Sequence, residues 1–187
     1  MSKNAKISVA LVVASLIAVL AIANAGDGNS TAPAAATASD RLVRPDSQRL
    51  SIADDGKVTF VEFLDYECES CAAAYPAIEE LRSDYEGRVT FVVRNFPLHK
   101  NSEAAASAAE AAAEQGKFEA MYDMLFETQV EWGEQDTSQE AVFFGYAEQL
   151  GLDMEQFRAD YDEPATLAKI RRDKADGIEL GVQGTPT

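Results

Sequence analysis

Val61-Glu62-Phe63-Leu64-Asp65-Tyr66-Glu67-Cys68-Glu69-Ser70-Cys71 runs from a β-branched and aromatic stretch into the only two cysteines of the chain, three positions apart. Spacing alone leaves open a pair of ordinary thiols or a local staple. A disulfide across four residues restrains the unfolded chain by only about 1.9 kcal/mol, against roughly 4.7 kcal/mol for a 100-residue loop. Opening and closing so small a ring therefore suits redox chemistry better than it suits holding a fold together. The flanks give the pair a location. Val58 to Leu64 has the composition of a buried strand. Ala74, Ile78, Leu81 and Tyr85 recur at steps of four, three and four, which marks one apolar helix face. Gly87 is placed to end that helix, and Arg88 to Arg94 reads as a second strand.

The cysteines thus fall at the strand-to-helix junction of a β-α-β unit. Unpaired backbone N–H groups and the positive dipole end of a helix stabilise a thiolate at such a place. Cys68, at the exposed end, is expected to be the nucleophile. Cys71, one turn further in, is expected to be more buried and to resolve a mixed disulfide. Glu67 and Glu69 set negative charge beside Cys68, which opposes its ionisation.

These residues resemble the thioredoxin superfamily, and its DsbA-like branch in particular, from about Lys57 to Thr187. Residues 61–68 look like the family's strand and approach to the first cysteine. Pro76 matches the proline inside the active-site helix, and Gly184-Thr185-Pro186-Thr187 looks like the second signature, a cis Thr-Pro bond facing the cysteines. The resemblance implies an α/β thioredoxin-like fold with a helical insertion at about 100–181. It also implies a substrate site at Thr185 and Pro186, a redox-active Cys68–Cys71 disulfide and no other cofactor. The family pattern places a β-hairpin and a helix after the cis-proline, so by resemblance those final elements are missing and the chain looks truncated at its C-terminus.

Glu62 shares a strand face with Val58, Phe60 and Leu64, all apolar, so its carboxyl is expected to be partly desolvated and raised in pKa. Its place six residues before Cys68 resembles the family's buried acid, which takes the proton of the inner thiol. The other reading is a strand-edge glutamate facing water. His99, the only histidine, follows Phe96-Pro97-Leu98 and reads as a solvated loop residue. Structural zinc wants four Cys or His ligands, and this chain offers only Cys68, Cys71 and His99, so no metal is expected.

The formal net charge of −16 argues against nucleic acid or an anionic membrane surface as a partner. Lys3 and Lys6 precede a stretch from Ile7 to Gly26 without a charged residue, so residues 1–26 read as a membrane anchor. Ala23-Asn24-Ala25 leaves a cleaved signal peptide as the alternative. Either way the following domain is expected outside the cytoplasmic membrane, where disulfide chemistry operates. Residues 27–50 read as a flexible linker, with a short strand near Gln48–Ile52, and 51–187 as the folded domain.

The second half reads as helical. Asn101 or Ser102 is placed to cap a helix whose positions 104–113 hold eight alanines, and Gly116 to close it. Phe118, Met121, Tyr122 and Leu125 form the next apolar face. Thr137-Ser138-Gln139-Glu140 has the form of a capping box, Asp153 to Gln156 repeats the device, and Pro164 suits the first turn of a last helix carrying Leu167, Ile170, Ala175 and Ile178. The function these features point to is thiol–disulfide exchange on cysteines of secreted or cell-envelope proteins, recycled by a redox partner. A peptide-binding or chaperone module without redox turnover is the alternative.

Overall fold

The computed structural model describes residues 37–187. The segment read as an anchor or signal (1–26) and the first part of the linker lie outside the described residues. Within 37–50 the linker reading is corrected. Ala38–Leu42 form helix α1, opened by a capping box in which the Thr37 hydroxyl accepts from the Asp40 N–H and the Asp40 carboxylate from the Thr37 N–H. Gln48–Ser51 form strand β1. A five-residue helix shows no periodicity in sequence; it is held by tertiary bonds from Arg94 to the carbonyls of Arg41 and Leu42.

The two apolar runs become β2 (Thr59–Leu64) and β3 (Thr90–Asn95). They pair in parallel, with Glu62 opposite Val93, and β1 adds antiparallel to give the order β1-β3-β2. A parallel pair needs a crossover rather than a tight turn, and helix α2 (Glu69–Asp84) supplies it, with Pro76 inside. On the other edge of β2, Thr187 exchanges two backbone hydrogen bonds with Phe63, at 2.8 and 3.1 Å. The apolar face expected on α2 is covered only in part among the described residues, since Leu81 and Tyr85 are 38% and 41% exposed.

The helical insertion holds α3 (Ser102–Glu114), α4 (Phe118–Glu127), α5 (Gln129–Trp132), α6 (Glu140–Gln149), α7 (Met154–Asp162) and α8 (Pro164–Glu179). The alanine-rich α3 is its centre. Ala105, Ala106, Ala108, Ala109, Ala111 and Ala112 are buried, and their small side chains let α4, α6, α7 and α8 approach closely. Phe118, Met121, Tyr122, Leu125, Trp132, Phe143 and Phe157 fill the space between them. Asp153 caps α7 through the N–H groups of Glu155 and Gln156, and Pro164 opens α8, as expected. The capping box at 137–140 does not form. The Gln139 N–H is taken by the Asn101 side chain at 3.1 Å, and Ser138 reaches only the Glu140 N–H.

Helix α8 corrects the sequence reading in a second way. Ala175 and Ile178 face outward, and the buried side carries Ile170, Asp173, Asp176 and Gly177. Gly177 sits where α8 crosses the sheet exit: a Cβ there would lie 2.8 Å from the Phe96 ring. The two aspartates meet the fully buried Arg94 of β3, whose guanidinium lies 2.9 Å from Asp173 and 2.6 Å from Asp176. Arg44 forks onto Asp176 as well, at 2.5 and 2.6 Å. At Asp176 burial raises the carboxyl, but the bonds from Arg44 and Arg94 outweigh it and hold the group below its ordinary value. At Asp173 burial prevails over Arg94 and the carboxyl is raised.

Removing one partner of a buried ion pair strands the other. Arg94→Met is therefore expected to destabilise the domain by about 3–5 kcal/mol, read as a lower urea midpoint with an unchanged slope. A loss below about 1 kcal/mol, the scale of an exposed pair, would show that Arg44 alone neutralises the aspartates.

Candidate active site

The cysteine loop is set by the crossover. Chain leaving β2 at Leu64 must turn into α2, and Asp65 makes that turn: its carboxylate accepts the Glu67 N–H at 2.9 Å, and its carbonyl accepts the Cys68 N–H at 3.1 Å. Cys68 is the N-cap of α2, with extended backbone, and its carbonyl accepts the N–H groups of Cys71 and Ala72. The outer-and-inner order read from the spacing is present, with Cys68 9% and Cys71 1% exposed. Both are free thiols. Burial pushes the Cys71 thiol up to about 12; the Asp65 backbone and the Thr185 hydroxyl favour its thiolate but do not outweigh desolvation.

Thr185 reaches the cysteines because Thr187 is pinned to Phe63, five residues before Cys68. The Thr185–Pro186 peptide bond is cis. The contact is made by Thr185: the Cys68 thiol lies 3.5 Å from its carbonyl oxygen, while Pro186 itself is exposed. The Thr185 hydroxyl is buried and makes no conventional hydrogen bond among the described residues.

Glu62 is 4% exposed, which excludes the water-facing reading. Burial, with added repulsion from Glu79, pushes its carboxyl up to about 7. Glu79 is itself paired with Arg82 at 2.5 Å, and Arg82 with Glu119 at 2.7 Å. Cys68, Cys71 and Thr185 are thus brought together, whereas Glu62 makes no direct hydrogen bond to either sulfur among the described residues.

Two residues of the loop carry more than the sequence reading gave them. Asp65 is 1% exposed and accepts from the Leu98 N–H at 2.7 Å, with the His99 ring Nδ1 at 2.7 Å from the same oxygen. His99 is therefore not a free loop residue, although its side chain stays 48% exposed. Glu67 is 3% exposed, and its carboxylate accepts from the Asn101 N–H at 2.6 Å and from the Ser102 hydroxyl at 3.4 Å. The charge expected to bear on Cys68 is engaged at the start of α3. Asn101 is the N-cap there but does not cap with its own side chain, which bonds Glu67, the Gln135 carbonyl and the Gln139 N–H. An Asp whose carboxylate accepts the N–H two residues on is a turn-forming residue visible in sequence. The burial of Glu67 has no such signal.

Residues 53–187 match the sequence family described as Thioredoxin. A thioredoxin-like oxidoreductase from Silicibacter pomeroyi DSS-3 is 35% identical, with a TM-score of 0.66 over 79% of this chain and 82% of that one. The thiol-disulfide exchange protein alpha-DsbA2 from Wolbachia pipientis is 25% identical, with a TM-score of 0.65 over 79% and 77%. The Na(+)/H(+) antiporter NhaA of Herminiimonas arsenicoxydans is 37% identical over 145 residues, 78% of this chain and 22% of that protein. The chain spans about a fifth of the length of the curated relatives it matches. Among the described residues no helix is long and apolar enough to cross a membrane. With a helical insertion between β3 and a cis Thr-Pro bond set beside a C-x-x-C at a helix N-terminus, the chain belongs to the thioredoxin family, in its DsbA-like branch.

Proposed function

We propose that this chain is a protein thiol–disulfide oxidoreductase that works outside the cytoplasmic membrane through Cys68 and Cys71. The observation that carries the reading is the inequality of the two thiols. Cys68 ends the loop beside the Thr185 carbonyl, while Cys71 is enclosed and held protonated by desolvation. In the reducing direction the Cys68 thiolate attacks one sulfur of a substrate disulfide. The mixed disulfide forms and the other substrate sulfur leaves as a thiolate. Cys71 then loses its proton and attacks Cys68 Sγ, which closes the protein disulfide and releases the second substrate thiolate; two electrons have passed to the substrate. Oxidation of a substrate dithiol is the same sequence reversed.

A thiol pushed up to about 12 needs an acceptor for its proton near neutral pH. Glu62, raised to about 7, can accept and release a proton near neutral pH, and we assign it that proton through intervening water. The backbone of Thr185, before the cis bond, is the place where an extended substrate segment would pair, as in β-strand addition. Substrates are then cysteine-containing secreted or cell-envelope proteins, and a separate redox partner restores the dithiol or disulfide. The uncharged stretch after Lys3 and Lys6, and the occurrence of a like segment within Na(+)/H(+) antiporters, support work at a membrane. In intact cells a membrane-impermeant maleimide is expected to label Cys68; labelling only after lysis would refute the location.

Cys71→Ser is expected to trap mixed disulfides with substrates, and Cys68→Ser to abolish exchange. Trapping by the Cys68 variant instead would reverse the roles, and no exchange with either oxidised or reduced glutathione by the unsubstituted chain would favour a binding module.

For Glu62 the sign follows from a folded value above the ordinary 4.5. Deprotonated Glu62 is the proton acceptor, so the rate of Cys71 attack on the mixed disulfide rises as pH rises through about 7. Glu62→Gln is expected to remove that inflection and slow the step while sparing the first attack by Cys68. The same shift bears on stability: the contribution of protonated Glu62 is fully present below 4.5 and lost as pH passes about 7. Glu62→Gln is thus expected to stabilise the domain by roughly 3 kcal/mol more at about pH 8 than at about pH 4, measured by urea denaturation. An unchanged pH–rate profile together with an unchanged stability difference would remove Glu62 from the mechanism.

A further inference from the structure

The side-chain amide of Gln129 joins the helical insertion to the cysteine loop. Gln129 is 6% exposed, and its Nε2 donates to the carbonyl of Tyr66 at 2.8 Å and to the carbonyl of Cys68 at 2.9 Å. These two carbonyls flank Glu67, so one NH2 group holds both ends of the last turn before the helix. At Cys68 the bond is the third on an oxygen that already accepts from Cys71 and Ala72. With the Cys68 N–H bonded to the Asp65 carbonyl on one side and its own carbonyl fixed on the other, both backbone torsions of Cys68 are restrained, and with them the direction in which its side chain leaves the backbone.

The surroundings of Gln129 are built to hold it still. It opens the short α5, whose Trp132 is fully buried, donates its indole N–H to the Leu125 carbonyl at 3.2 Å and meets Phe143 edge-on at 4.8 Å. Gly133 donates to the Gln129 carbonyl at 2.7 Å, and a Cβ at that glycine would come within 2.9 Å of the same oxygen and 3.5 Å of the Gln129 Cγ. Tyr66, the other residue held, packs on Phe126 of α4 at 5.3 Å. Backbone geometry, a fully buried anchor and an excluded side chain at 133 thus all converge on one amide.

The geometry points to Gln129 as a positioning residue for the nucleophile: it orients Cys68 toward the Thr185 carbonyl and toward an incoming disulfide. The inference rests on Cys68 being the attacking thiol. The insertion is then a part of the reaction centre, since the cysteine loop lacks a donor of its own for the Tyr66 carbonyl among the described residues.

The test uses the full chain carrying Cys71→Ser, so that Cys68 alone reacts, with oxidised glutathione as the probe. Cys68 attacks one glutathione sulfur, forms a mixed disulfide and releases one glutathione thiolate. Gln129→Glu keeps the shape but sets an acceptor against two carbonyls, and Gln129→Met keeps the length without a donor. Both are expected to lower the second-order rate constant per folded molecule by about tenfold, the scale of losing bonds that orient a reacting group. Gln129→Asn, with the amide on a shorter stem, is expected to fall between. Folded fraction and thermal midpoint are measured alongside; a merely structural glutamine would lower the midpoint and leave the rate per folded molecule alone. The parent rate in whichever of the Glu and Met variants folds would overturn the role of Gln129. No reaction by the Cys71→Ser chain with Gln129 intact would instead overturn the thiol–disulfide reading.

Discussion

The parallel pairing of β2 with β3 is the constraint from which the rest of the domain follows. Two parallel neighbours cannot be joined by a hairpin, so a crossover must start at the C-terminal end of β2 and return to the start of β3. That requirement places the N-terminus of α2, and with it Cys68, at the same end of the sheet where β3 exits into residues 96–101. Two chain segments far apart in sequence are thereby forced side by side. Asp65 and Glu67 fasten them, each through a carboxylate that accepts backbone N–H groups from the β3 exit. Thr187, pinned to Phe63 on the other side of β2, brings Thr185 in from the opposite direction. The site is the place where three chain segments meet at one strand end.

Burial then separates groups that the sequence shows as equals. The two cysteines differ by one helical turn, yet the inner one loses its hydration and is pushed up to about 12. Glu62, Asp65 and Glu67 are all buried acids near one another in sequence, and their environments divide them. Asp65 and Glu67 are satisfied by hydrogen-bond donors. Glu62 accepts none among the described residues and sits near Glu79, so it is raised to about 7. A carboxyl left without donors is a cost to folding near neutral pH and the kind of feature a proton-transfer role would retain.

How much of this was legible in the sequence depends on the length scale of the signal. The β-α-β unit, the alanine-rich α3, the Asp153 cap and Pro164 at the start of α8 all show through because periodicity and capping are local. The short α1 was hidden in a stretch whose composition reads as linker, since Arg94 holds it from 52 residues away. In α8 the pattern of Ala175 and Ile178 pointed to the wrong face, because hydropathy cannot see that Asp173 and Asp176 are neutralised by Arg94 and Arg44. At 137–140 the Glu140 N–H that a capping box would give to Thr137 goes to Ser138, and the neighbouring Gln139 N–H is taken by Asn101, 38 positions earlier. At the site, Cys68, Cys71 and the Thr185–Pro186 pair were legible as motifs, and Glu62 from strand alternation. His99 is the half-exposed loop residue that was read, but its bond to Asp65, 34 positions earlier, was not legible.

The helical insertion takes on a different meaning in this light. Its core is assembled around α3, whose first residues are held by Glu67 of the cysteine loop. Its aromatic face meets the loop again through Tyr66, which packs on Phe126 and lies edge-on to Tyr122. A third tie runs through Glu110 of α3, which bonds Asn95 at the end of β3 and Gln48 of β1. These contacts enter the insertion at separate points along α3 and α4, so movement of the insertion against the sheet cannot relieve one without loading the others. An ornament attached by its two chain ends would not be braced in this way. The loop that carries Cys68 is therefore clamped from the sheet on one side and from the insertion on the other, and under the proposed function such bracing would leave less backbone freedom to be lost when that thiol meets a substrate.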